Sequence, residues 1–233
     1  MMARLTGSDI LITGATGGLG EAVVSAFLRE GAFVAGAARH WASDDNVDGL
    51  LKVRADLTTP EGAESAVRAV LDARGRLDAV VHLLGGFAMD GPLAATKVET
   101  WDRMMDMNAR SAFLVFRAAL AAQAASPVGL RRLIAVGSRA GVQASPGAAA
   151  YAVSKAALHA LVVNVAAEVV DQGITVNAVL PGTIDTETNR AAMPKADFSK
   201  WVRPETIADT LIWLASDAAQ ATSGALIPVY GRS

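Results

Sequence analysis

The chain has no cysteine in its 233 residues. That removes disulfides, thiolate metal sites and cysteine nucleophiles together. It also lacks any Lys/Arg-rich run, and its formal net charge is -2. Both facts argue against a nucleic-acid or membrane-surface partner. No apolar run reaches the ~18 uncharged residues that a membrane helix needs. The opening stretch, MMARLTGSDILITG, has no signal-peptide core, because its short apolar run stops at a glycine-rich turn. We therefore expect a cytoplasmic protein. Internal repeats, low-complexity blocks and Pro/Ser-rich linkers are missing too. The expectation is one domain over residues 1–233, with no metal site. Hydrophobic residues make up 52% and charged ones 19%, which is enough apolar material for a large core.

What is present is a repeated alternation of short apolar runs and helical patterns. Such alternation implies an α/β fold with a parallel sheet and helices on both faces. Strands are expected at about 9–13, 32–37, 51–55, 77–85, 132–138, 174–180 and 225–230. Helices are expected at about 19–30, 60–74, 99–125, 149–171 and 204–216, the last opened by Pro204. Between the first strand and helix lies TGATGGLG, with glycines at Gly14, Gly18 and Gly20. Strand, glycine turn and helix is the context in which such a motif binds phosphate, through close backbone approach and a helix N-terminus. Asp56 or Thr58 would cap the helix at 60–74. His82 reads as a strand histidine with a local partner.

In the Ala-rich run after residue 147, Tyr151 and Lys155 lie four apart and share one helix face. A free phenol ionises near pH ~10 and works poorly as an acid-base group at neutrality. A nearby ammonium favours the phenolate and lowers that pKa. The pair suits proton transfer to or from an oxygen. The second strand ends Ala38-Arg39-His40, where an acidic residue would favour unphosphorylated ribose. Arg39 would instead pair with a 2′-phosphate. NADP(H) is therefore the expected cofactor, with NAD(H) possible.

The G-x-x-x-G-x-G spacing and the Tyr-x-x-x-Lys pair together resemble the short-chain dehydrogenase/reductase family, over essentially the whole chain. That resemblance implies a Rossmann-type doubly wound sheet of seven strands in the order 3-2-1-4-5-6-7. It implies cofactor contacts from Gly14, Thr16, Gly18, Leu19, Gly20, Arg39, Asp56, Leu57 and Gly85. Tyr151, Lys155, Pro181, Gly182, Ile184 and Thr186 would complete the set around the nicotinamide. Ser138, thirteen residues before Tyr151, is the expected holder of a substrate carbonyl oxygen, and Asn108 would interrupt its helix and relay protons from Lys155. One departure stands out. The family's Asn-Asn-Ala-Gly is here His82-Leu83-Leu84-Gly85, so the asparagines that tie neighbouring strands are missing.

The implied activity is hydride transfer between a nicotinamide and a small carbonyl or alcohol substrate. A lid at about 187–203 would recognise that substrate through Met193, Phe198 and Trp201. The lid's wording also resembles dihydropteridine reductase, which gives a second reading. A non-catalytic nucleotide-binding sensor or scaffold is the third. The helices at about 99–125 and 149–171 are apolar nearly all round and need burial on a second side. A homodimer or homotetramer through them is expected. Arg39→Ala should raise KM for NADPH roughly tenfold or more, the cost of a lost charge-assisted pair. KM for NADH should hardly move, and steady-state kinetics with both cofactors checks it.

Overall fold

Seven runs of buried apolar residues become seven strands: β1 (Asp9–Thr13), β2 (Phe33–Ala38), β3 (Leu50–Arg54), β4 (Ala79–His82), β5 (Arg132–Val136), β6 (Thr175–Pro181) and β7 (Leu226–Val229). The computed structural model describes residues 3–125 and 127–232. Met1, Met2 and Ser233, the outermost residues of the expected domain, lie outside the described residues, as does Ser126. Every residue of β1, β4, β5 and β6 is buried. Strands covered on both faces read as continuous apolar runs rather than alternating ones. All seven form one sheet in the order β3-β2-β1-β4-β5-β6-β7, and each neighbouring pair is parallel. This is the Rossmann-type architecture expected from the sequence.

Helices cover both faces: α1 (Gly20–Arg29), α2 (Pro60–Arg74), α3 (Val98–Met104), α4 (Ser111–Ala125), α5 (Ala149–Val169), α6 (Glu187–Ala192) and α7 (Pro204–Ala215). Val23 and Phe27 of α1 meet Leu211 and Ile212 of α7 on one face of the sheet. Val67, Val115, Phe116, Leu158 and Val162 of α2, α4 and α5 fill the other. Because parallel strands all point the same way, the loops that follow them collect at one edge. The order reverses between β1 and β4, which opens a crevice there.

Several boundaries differ from expectation, each for a local reason. β4 stops at His82 rather than 85, because the Leu83 and Leu84 N–H groups turn to the Thr13 hydroxyl, at 3.1 and 3.2 Å. β5 stops at Val136, whose carbonyl accepts from the Lys155 ammonium at 2.9 Å. The single helix expected at 99–125 is α3 and α4 joined by a π-helical segment, Met105–Arg110. Asn108 lies inside that segment, fully buried, and such wide turns are frequent at functional sites. The cap of α2 is neither Asp56 nor Thr58. Thr59 accepts from Gly62 N–H, while the Asp56 carboxylate takes both the N–H and the hydroxyl of Thr58. The lid holds α6 and a short 3-10 turn at Phe198–Lys200.

α5 with its following turn, Ala149–Gln172, is long and apolar enough to cross a membrane by length and composition alone. Its buried face, however, carries Ser154, Lys155 and His159 into the protein.

His82 does the tying that the missing asparagines would do. Its Nδ1 lies 3.0 Å from the Thr13 hydroxyl and its Nε2 3.1 Å from the Ser111 hydroxyl. Ser111 gives its own hydrogen to the Met107 carbonyl, so Nε2 carries the imidazole proton and Thr13 donates to Nδ1. Burial pushes the His82 pKa down to about 3, with Lys155 adding a smaller effect, so the ring is neutral and this polarity holds. Thr13→Val keeps the shape but strands two N–H groups and the ring. It should cost about 1–3 kcal/mol, read as a lower urea midpoint with an unchanged slope.

Candidate active site

After β1 the chain turns at Gly14, with φ +66°, and a Cβ there would stand 2.9 Å from the Leu84 nitrogen. Only glycine combines that conformation with so close an approach. α1 then starts at Gly20 with Leu19 as its N-cap and no side chain on its first N–H groups. These groups border a cleft of 390 Å³ at the β1/β4 crevice. Gly14, Thr16, Gly18, Leu19 and Gly20 line it together with Arg39, Asp56, Leu57 and Gly85. Nine of the expected cofactor residues thus share one cleft, although they come from four strand ends.

Open helix N–H groups beside a glycine turn suit a pyrophosphate. The exposed Arg39 guanidinium suits a 2′-phosphate. The residues present therefore fit a phosphorylated dinucleotide. The Asp56 carboxyl is held below its usual range, chiefly by its Thr58 hydrogen bonds and to a smaller extent by Arg39. His40, Leu83, Leu84 and Met107 also line the cleft and escaped the sequence reading. Met107 directly precedes Asn108, and the π turn swings it inward.

Pro181, Gly182 and Ile184 do not line the cleft. β6 runs through Pro181, the Gly182 N–H donates to the Val229 carbonyl at 3.1 Å, and Ile184 bridges to Val202. Thr186 comes nearest: a Cβ on Gly18 would meet its side chain at 3.2 Å. The lid beyond it is held to itself. Asp185 pairs with Arg190 through two hydrogen bonds, at 2.5 and 2.8 Å. The Arg190 guanidinium lies 4.9 Å from the centre of the Phe198 ring, which in turn contacts Trp201. Of the three expected lid residues, Met193 alone has its side chain in solvent.

Ser138, Tyr151, Lys155 and Asn108 do not themselves line the cleft. α5 brings Tyr151 and Lys155 onto one face, and Ser138 stands close enough to the Tyr151 phenol to oppose the rise in its pKa. Ser138 follows β5 in extended conformation, and its oxygen accepts from Ala140 N–H at 3.2 Å. A Cβ on Gly85 would lie 2.7 Å from Asn108 Oδ1 and 3.2 Å from Lys155 Nζ. Gly85 lines the cleft, so both side chains stand directly behind its wall. Asn108 clamps the next residue: Gly86 N–H donates to Oδ1 at 2.9 Å, and Nδ2 donates to the Gly86 carbonyl at 3.0 Å. Nδ2 also reaches the Ser154 hydroxyl at 3.0 Å, and that hydroxyl donates to the Tyr151 carbonyl at 2.7 Å. Asn108 is thus linked through Ser154 to the Tyr151 backbone, while the Lys155 ammonium bonds the Val136 carbonyl.

The electrostatics depart from expectation. Burial pushes the Tyr151 phenol above its ordinary value, and the Ser138 hydrogen bond only partly opposes this. The Lys155 ammonium is itself pushed down to about 8 by burial. It is turned to the Val136 carbonyl, so it does not lower the phenol's pKa as the helix spacing implied. One further neighbour was missed. The Phe87 ring meets Tyr151 edge-on, with centroids 4.9 Å apart at 76°, although Phe87 is 64% exposed. Its only signal in the sequence is its place after Gly85-Gly86.

Residues 14–231 match the family described as enoyl-(acyl carrier protein) reductase. The chain is 30% identical to 3-oxoacyl-(acyl-carrier-protein) reductase of Vibrio cholerae, with 98% of both covered. It is 34% identical to the A-factor type gamma-butyrolactone 1′-reductase of Streptomyces virginiae, covering 97% of this chain and 95% of that one. Among solved structures, a short-chain dehydrogenase/reductase from Serratia marcescens superposes with a TM-score of 0.86 at 29% identity and 98% coverage of both chains.

The depressed Lys155 value has a measurable consequence. Between about 8 and its ordinary 10.5, the unfolded chain binds more protons than the folded one, so stability rises with pH. Urea unfolding of the ligand-free protein from pH 8 to 10 should show this rise, and Lys155→Met should flatten it.

Proposed function

The chain belongs to the short-chain dehydrogenase/reductase family, oxidoreductases acting on carbonyl and alcohol groups, and from that premise we propose the following chemistry for it. The protein reduces the carbonyl of a small substrate, or oxidises the matching alcohol, with NADP(H). When bound, the cofactor supplies or accepts the hydride. Arg39 would hold the 2′-phosphate, and the glycine turn with the N-terminus of α1 would hold the pyrophosphate. The observation that carries this reading is that Asn108 Oδ1 and Lys155 Nζ stand against Gly85 in the cleft wall, with Tyr151 one turn before Lys155 on α5.

Tyr151 donates its proton to the substrate oxygen in reduction and recovers it in oxidation. Its raised pKa keeps the phenol protonated at neutral pH, which is the form reduction requires. Ser138 orients the carbonyl and stabilises negative charge growing on its oxygen. Lys155, charged at neutral pH and buried next to Gly85, would favour that charge and would hold the nicotinamide ribose. Asn108 keeps Gly86 and the Tyr151 turn in register. The lid's resemblance to dihydropteridine reductase rested on Arg190, Met193, Phe198 and Trp201 among other letters; the ring stacking and ion pair give three of these a role within the lid. Exposed Phe113 on α4 and Val153 and Val163 on α5 support pairing with a second copy.

NADPH oxidation against ketones, 3-oxoacyl thioesters and quinonoid pteridines tests the activity. A ketone or thioester should turn over, and inactivity on all three classes would refute the proposal. Tyr151→Phe should lower turnover by roughly 10²–10⁴-fold, the usual worth of a positioned general acid. NADPH should still quench protein fluorescence at an unchanged Kd.

A further inference from the structure

We propose that His159 is the positioning residue for Ser138, holding it at the reach of Tyr151 through its backbone N–H. This rests on the catalytic reading above and assigns a residue outside it. Tyr151, Lys155 and His159 recur every four residues on α5, so all three face the end of β5. Gly137 makes the last ladder bond of that strand, its N–H donating to the Val179 carbonyl at 2.8 Å. The next N–H, that of Ser138, has left the ladder and donates to His159 Nε2 at 3.3 Å.

A backbone N–H only donates, so Nε2 accepts and the ring proton sits on Nδ1. Nδ1 is buried without a partner at hydrogen-bond geometry and faces the Gly141 backbone. The ring is 4% exposed, and burial, with Lys155 second, keeps it neutral by lowering its pKa to about 4. The loop wraps the imidazole closely. A Cβ on Gly141 would stand 2.5 Å from its Cε1, and one on Gly137 would overlap the ring. Lys155 holds the Val136 carbonyl and His159 holds the Ser138 N–H. One helix therefore grips the strand end on both sides of Gly137 and also carries the phenol that meets the Ser138 hydroxyl. The Ser138–Tyr151 separation becomes a property of a single helix–strand unit.

The test is a double-mutant cycle on a substrate found active with the unaltered enzyme, with NADPH affinity measured in parallel. His159→Leu removes the acceptor and should lower kcat about tenfold to hundredfold, the effect of stranding one buried N–H. Its Kd for NADPH should stay within about twofold, since the cleft is untouched. His159→Gln restores an acceptor and should recover kcat to within about threefold of wild type. In a Ser138→Ala background, His159→Leu should cost less than about twofold more, because its effect passes through the missing hydroxyl. Unchanged kcat in His159→Leu overturns the assignment. So does a loss that multiplies with Ser138→Ala. If His159→Leu fails to fold, a folded His159→Gln as slow as Ser138→Ala overturns it as well. Wild-type inactivity on every carbonyl refutes the underlying reading instead, so the two failures are distinct.

Discussion

At the carboxyl edge of the sheet, backbone leaves its ladder while still buried, and side chains must pair what the ladder no longer pairs. The protein's working region is built from those pairings. Thr13 takes the N–H groups of Leu83 and Leu84. Asn108 takes both backbone groups of Gly86. Lys155 takes the Val136 carbonyl and His159 the Ser138 N–H. At the opposite edge Asn177 plays a similar part before β7, accepting from Ala225 N–H and donating to the Thr222 carbonyl. The ends of β4 and β5 are thus fixed by residues from other elements, so the loops that follow them start from rigid points.

Dryness is the second consequence. The same burial that forces these pairings discourages charge. His82 and His159 are held neutral, Tyr151 is held protonated, and Lys155 keeps its proton with a reduced margin. Neutral imidazoles are what the pairings need, because each ring must accept at one nitrogen. A protonated phenol is also the form that the proposed reduction uses.

The placement of the proposed site residues was legible because its signals are local. A four-residue spacing on a helix guarantees a shared face, and three glycines between a strand and a helix guarantee an open turn. Asn108 was legible through its poor fit to an otherwise apolar helix, and the π-helical segment is the structural form of that misfit. What the spacing left open was the direction of the electrostatic effect. Sharing a face with Lys155 brings the ammonium near, but the freed carbonyl of Val136 claims it. The replacement of the family's paired asparagines read as a loss. In the structure it is an exchange, with Thr13, His82 and Ser111 linking β1, β4 and the start of α4. Thr59 displaced Asp56 and Thr58 as helix cap because Asp56 is occupied by Thr58 itself.

The strand order came with the family resemblance, while sequence alone determined the alternation of strands and helices, the glycine turn, the shared face of Tyr151 and Lys155, and the basic residue after β2. Each follows from short-range periodicity or from residue chemistry at a recognisable place. Only the tertiary structure decided where β4 and β5 end, that Met107 lines the cleft, that Phe87 meets Tyr151, and what His82 and His159 hold. Those outcomes depend on which buried backbone group meets which side chain across tens of residues, and no spacing along the chain encodes that encounter.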